Sequence, residues 1–153
     1  MRHALAPGTG DPPEFRLDDC TTRRNLSDTG RAQARATGEA IRAAVSPPPD
    51  AVLTSRWCRC RETAELLGLG APEPTPPLDS FLGRRHLRDD QTEALRALLA
   101  ERLSRGERLV LVTHQVNVTA LTGIVPRSGE AVAVRLAADG SLAVLGTVPP
   151  AAP

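Results

Sequence analysis

Apolar positions along the chain change period from segment to segment, and those changes mark out the elements. From Ser27 onward Ala34, Thr37, Ile41, Ala44 and Val45 recur at the three- and four-residue spacing of one helix face. Ser27 stands at an N-cap position, and Pro47-Pro48-Pro49 closes the segment. Ala51 to Thr54 is a short strand-like run, followed by Ser55. A second helix is predicted from about Trp57 to Leu67, closed by Gly68 or Gly70. Asp90 and Glu93 have the spacing of a capping box, with Asp90 as the cap. Behind them Leu95, Leu98, Leu99 and Leu103 share a face until Gly106. Arg108 to Thr113 contains four consecutive apolar residues, which suits a parallel strand covered on both sides. A short helix is expected from about Val116 to Leu121. Ala131 to Leu136 and Leu142 to Val148 then make a hairpin around Asp139-Gly140. Between these elements, residues 6–24 read as a long loop rich in Pro and Gly that folds over the mouth of a site. Residues 71–77 are a proline-rich connector, and 149–153 a frayed tail.

Strands alternating with helices predict an α/β protein: a three-layer α/β/α sandwich with a mostly parallel central sheet, in a single domain over 1–153. Ligands of such sheets bind beyond the carboxyl ends of the strands. Ser55 and His114 lie at such ends. His3 does too if a strand leads into it, yet only Met1 precedes Arg2. The expectation is therefore that this central strand is truncated here and that the natural chain starts upstream of Met1.

Composition narrows the chemistry. Aromatic residues are 2% of the chain, so Leu, Val and Ala must fill the core. The net charge is +1, and every basic residue is Arg. Without Lys, a Schiff-base or P-loop lysine is excluded, and near-neutral charge with few aromatics argues against nucleic acid as a partner. No apolar run reaches membrane-spanning length. Cys20, Cys58 and Cys60 lack zinc-finger and Cys-x-x-Cys spacing. They are three thiols, or Cys20 pairs with Cys58 or Cys60.

Two strand-to-helix junctions carry candidate chemistry. In Thr113-His114-Gln115 a histidine sits where free backbone N–H groups and the helix dipole favour an anion. In Ser55-Arg56-Trp57-Cys58-Arg59-Cys60-Arg61 three arginines crowd a helix N-terminus, where the dipole disfavours cations and a compensating anion is required.

Taken in order, five pieces resemble the histidine phosphatase superfamily (phosphoglycerate mutase-like). Arg2-His3-Ala4 is similar to its Arg-His-Gly motif, with Ala in the Gly position. Leu26-Ser27 through Gly30 to Gln33-Ala34 resembles its first helix start. Ser55 with Arg59 and Thr63-Ala64 matches Ser-x-x-x-Arg-x-x-x-Thr-Ala. Leu109 to His114 matches the second-histidine strand, and the hairpin after Gly129 fits as well. The resemblance implies that His3 is a nucleophile taking a phosphoryl group, with Arg2, Arg59 and His114 binding the phosphate and Gln115 beside them. It implies no metal and no cofactor. Relatives usually carry an acid after the second helix. Asp79 is the nearest candidate for it, Asp11 and His86 are alternatives, and so is having none. The implied function is a phosphatase acting on a small phosphomonoester such as a sugar phosphate, in a small bacterial branch similar to lipopolysaccharide core heptose-phosphate phosphatases. The alternatives are a phosphohistidine protein phosphatase and a degenerate, non-catalytic phosphate-binding module. Neither the oligomeric state nor the compartment follows from the sequence; an upstream signal peptide would make the protein periplasmic, its absence cytoplasmic.

Overall fold

The computed structural model describes residues 1–152. In chain order the elements are α1 (Asp28–Ala44), β1 (Ala51–Thr54), α2 (Cys58–Leu67), β2 (Pro72–Pro74), α3 (Arg88–Ser104), β3 (Leu109–Val112), α4 (Gln115–Thr122), β4 (Ala131–Leu136) and β5 (Leu142–Val148). Strands β2, β1 and β3 form a parallel sheet in that order, with Val52 opposite Val110 and Leu53 opposite Leu111. Successive side chains of a strand point to opposite faces, and the core divides accordingly. Val52 and Val112 pack with Trp57, Ala64 and Leu67 of the α2 side, while Leu53 packs with Leu78, Leu95 and Leu99 of the α3 side. The expected α/β sandwich with a parallel sheet is what forms. Among the described residues no helix is long and apolar enough to cross a membrane.

Residues 1–3 run alongside β3. Thr113 N donates to Met1 O and His3 N to Thr113 O, each at 2.9 Å, and Arg2 bridges Thr113 in the parallel sense. On the other side Arg2 N donates to Glu130 O at 3.0 Å, at the foot of the β4–β5 hairpin. These bonds bring His3 and His114 together at the carboxyl end of the sheet. Between β3 and β4 lies an apolar cavity of about 530 Å³, with Leu95, Leu99, Leu109, Leu111, Val132 and Val134 among its walls.

Two elements differ from expectation. Helix α3 starts at Arg88 rather than after a cap at Asp90, because a 3₁₀ turn over Arg85–Leu87 leads directly into it; Asp89 and Asp90 occupy its first turn instead. There they face the positive end of the dipole, which suits them as well as capping would. The proline-rich connector contains edge strand β2, which Pro tolerates because an outer edge needs no N–H donors.

Helix α1 lies so close to its neighbours that two positions have no room for a side chain. A Cβ on Gly30 would stand 2.1 Å from Leu5 O, and one on Gly38 2.0 Å from Leu67 O. Gly30 thereby seats the segment that leaves His3, and Gly38 seats α2. Gly30→Ala and Gly38→Ala are each expected to lower stability by about 1–3 kcal/mol, read from urea midpoints. Unchanged midpoints would mean that the helix can shift without cost.

Candidate active site

The site is assembled at the ends of β1 and β3, at the start of α2, and by residues 2–11. His3, Arg59 and His114 converge there and are buried, at 2%, 3% and 3% exposure. Arg59 is the hub. Its Nε donates to His3 Nε2 at 3.1 Å, its Nη2 lies 3.4 Å from His114 Nδ1, and its Nη1 meets Asp11. Ala4, in the glycine position of the motif, is fully buried, and no described non-glycine residue has a positive φ, so the methyl group is accommodated without backbone strain. Its N–H donates to Thr63 Oγ1, whose hydroxyl donates in turn to Arg59 O, locking the strand end to α2.

These partners fix the imidazole tautomers. His3 Nδ1 lies 2.8 Å from Ala4 O, an obligate acceptor, so Nδ1 carries the proton and the lone pair is on Nε2. Burial first, then the charge of Arg59, push the His3 pKa down to about 3, so the ring is neutral at pH 7. His114 is shifted the same way by burial and then by Arg59. Because Arg59 faces its Nδ1, His114 donates from Nε2 to Ser55 Oγ at 2.9 Å, and Ser55 Oγ donates to Asp79 Oδ1 at 3.2 Å. Cys60 Sγ is 3.5 Å from the same His114 nitrogen; its thiol is buried and pushed up to about 12.

The expected site residues separate into two groups. His3, Arg59 and His114 meet directly. Arg2 lies beside them, with Nη1 donating to Pro126 O and a buried Nε that has no partner. Asp79, expected as the proton donor, instead accepts from Ser55 Oγ and from Arg56 N and Nε, which sets it behind His114. Gln115, expected to bind phosphate, turns its amide to Thr119 one turn along α4. His86 is exposed in the 3₁₀ turn before α3. The sequence reading did not assign roles to Ser55, which links His114 to Asp79, or to Trp57 and Arg24, which hold Asp11. Ser55 had a signal, its place at a strand's carboxyl end; Trp57 and Arg24 had none.

The anions that the crowded N-terminus of α2 requires come from within the chain. Asp79 pairs with Arg56, and Asp11 with Arg59. Asp11 accepts from Arg59 Nη1 at 2.8 and 3.1 Å, from Trp57 Nε1 at 3.0 Å and from Arg24 N at 3.1 Å. Burial raises its carboxyl, but the Arg59 bond and charge, with the Arg24 and Trp57 bonds, outweigh burial and leave it below the ordinary range. Of the two pairings open to Cys20, the structure has Cys20–Cys58, with Cys60 free. The bridge ties the 6–24 loop to the residue next to Arg59.

Burial of two neutral imidazoles makes stability depend on pH. Between about 6.5, the ordinary histidine value, and about 3 the unfolded chain binds a proton at His3 that the folded chain refuses. Stability from this source is complete above the upper value and is lost as pH falls through the window. Urea midpoints should decline from about pH 6.5 downward, and less steeply in His3→Asn. A flat profile in that range would contradict the buried neutral ring.

Residues 18–81 match the model of the Histidine phosphatase superfamily (branch 1). No curated protein sequence matches the chain at a significant level. Among solved structures, a protein histidine phosphatase SixA complexed with tungstate is 21% identical, with a TM-score of 0.70 over 98% of this chain and 94% of that one. A protein named as a putative phosphohistidine phosphatase SixA, from Agrobacterium tumefaciens, is 18% identical, with a TM-score of 0.64 over 98% and 95%. A mycobacterial glucosyl-3-phosphoglycerate phosphatase with inorganic phosphate is 17% identical, with a TM-score of 0.67 over 99% and 95%. The segment 18–81 thus carries the sequence signature of histidine phosphatase superfamily branch 1, and the chain as a whole has the fold of solved histidine phosphatases.

Proposed function

We propose that this chain is a histidine phosphatase superfamily enzyme that hydrolyses a phosphomonoester through a phosphohistidine on His3. The observation that carries the reading is the His3–Arg59–His114 cluster, in which a neutral imidazole with its Nε2 lone pair free of a proton faces a buried guanidinium. A neutral imidazole is a competent nucleophile at pH 7. Phosphoryl transfer asks mainly for positioning and fixed positive charge, which Arg59 and Arg2 supply. The unpartnered Nε of Arg2 is a donor that a phosphoryl oxygen would satisfy. His114 is held beside that group through Ser55 and Asp79, with its Nδ1 lone pair turned to Arg59. Asp79 acts here as a positioning residue.

A small substrate suits the recess beside the site, of about 750 Å³, whose walls mix apolar Phe15, Trp57 and Leu82 with the cations Arg56 and Arg84. An apolar floor rimmed by guanidinium groups fits a compact molecule with further anionic or hydroxyl groups, such as a sugar phosphate. The heptose-phosphate branch is one member of that class. A second reading, phosphohistidine as substrate, is favoured by the likeness of fold, across nearly the whole chain, to two proteins named SixA, one of them a protein histidine phosphatase.

His3→Ala is expected to abolish hydrolysis of p-nitrophenyl phosphate with the fold retained, and the wild-type protein to yield acid-labile phosphate on His3 after rapid quench. Label on a Ser or Cys would reject the mechanism. Arg59→Ala should cost about 3 kcal/mol of transition-state stabilisation in kcat/KM, and Arg61→Ala, which bonds nothing at the site, far less. Equal losses would remove Arg59 from its role.

A further inference from the structure

Asp11 occupies a place that the phosphohistidine scheme leaves unused. It belongs to a loop that is mostly open to solvent, yet its side chain is only 7% exposed. On one side its carboxylate meets Arg59 Nη1, the guanidinium whose Nε reaches His3. On the other it borders the recess walled by Phe15, Leu17, Trp57 and Leu82. A phosphoryl group held by Arg59 against His3 Nε2 would have Asp11 on its outward flank, where the remainder of the substrate must lie. Resting on the phosphatase reading above, we propose that Asp11 is the proton carrier of the reaction, giving a proton to the departing ester oxygen and later taking one from the attacking water.

The other two candidates are placed differently. Asp79 reaches the site only through Ser55 and His114 and does not line the recess, whereas Asp11 does. His86 is exposed and bonds no residue of the site.

The protons balance within the substrate, the enzyme and water. A phosphomonoester monoanion brings one proton. Its negative charge, beside Asp11 and competing for the same guanidinium, favours the protonated carboxyl, and the proton passes from a phosphoryl oxygen to Asp11. His3 Nε2 attacks phosphorus. The P–N bond forms as the P–O ester bond breaks, and the ester oxygen leaves as an alcohol with the proton of Asp11. Water then attacks phosphorus, the P–N bond breaks and His3 regains its lone pair. Asp11 takes the proton lost by water and returns it to the phosphate as that departs. Hydrogen bonds from Trp57 Nε1 and Arg24 N hold the carboxylate in place between turnovers.

The test compares leaving groups. p-Nitrophenolate departs without a proton, whereas an alkoxide does not, so a proton carrier matters only for the second. Asp11→Asn is expected to lose roughly a hundredfold or more in kcat/KM on an alkyl phosphate and only a few-fold on p-nitrophenyl phosphate, while still binding orthovanadate. Asp79→Asn should lose the same factor on both substrates. Equal loss on both substrates in Asp11→Asn overturns the proposal, and so does a gain on both, which would make Asp11 a mere competitor for Arg59. If Asp11→Asn fails to fold, the wild-type protein decides: a shallow dependence of kcat/KM on leaving-group pKa supports an acid at the site, and a steep one overturns it. Turnover that survives His3→Ala rejects the phosphohistidine reading, while the leaving-group comparison still judges Asp11. Absence of turnover on every ester overturns both.

Discussion

A buried guanidinium is expensive unless every edge of it is answered, and the architecture around Arg59 is organised by that constraint. The residue sits in the first turn of α2, where the helix dipole opposes a cation. Asp11 neutralises it, His3 and His114 accept from it, and Thr63 ties its backbone to the segment leaving His3. Each contact comes from a different stretch of chain. The 6–24 loop supplies Asp11, residues 1–3 lie against β3 to supply His3, and the end of β3 supplies His114. The parallel register of β1 and β3 places the start of α2 beside the start of α4, so one side chain can reach both imidazoles.

Charge organises the outer part of the site in the same way. Asp79 neutralises Arg56 while receiving the Ser55 hydroxyl, so a single carboxylate balances a cation at the helix start and orients His114 through one intervening group. Such a chain holds an imidazole by direction as well as by distance. Close backbone contacts at Gly30 and Gly38 supply the rigidity that this needs, since α1 braces both the segment after His3 and the end of α2.

Much of this was legible in the sequence, for reasons that can be stated. The run Leu109–Val112 has the apolar continuity of a strand covered on both faces, and the helix of Ser27 carries its cap; local chemistry fixes both. His3, Arg59 and His114 were legible as a set through the resemblance of their motifs, with Arg59 and His114 also lying at strand-to-helix junctions. Edge strand β2 was not, since a Pro-Glu-Pro stretch has no strand pattern and pairs only because β1 offers it an edge. The capping box at Asp90 failed because the preceding 3₁₀ turn starts the helix earlier. The contrasting positions of Asp79 and Asp11 were equally hidden. Both are carboxylates in irregular segments, and which one reaches Arg59 is decided by long-range folding of the loop.

Cys58 and Cys60 lie two residues apart, one bridged and the other a free thiol, an arrangement open in principle to internal exchange. Exchange needs a thiolate as the attacking species. The Cys60 thiol is fully buried against His114, and its pKa near 12 leaves almost no thiolate at neutral pH. In the folded protein it is thus chemically silent towards the neighbouring bridge, and the 6–24 loop keeps a single covalent anchor beside Arg59.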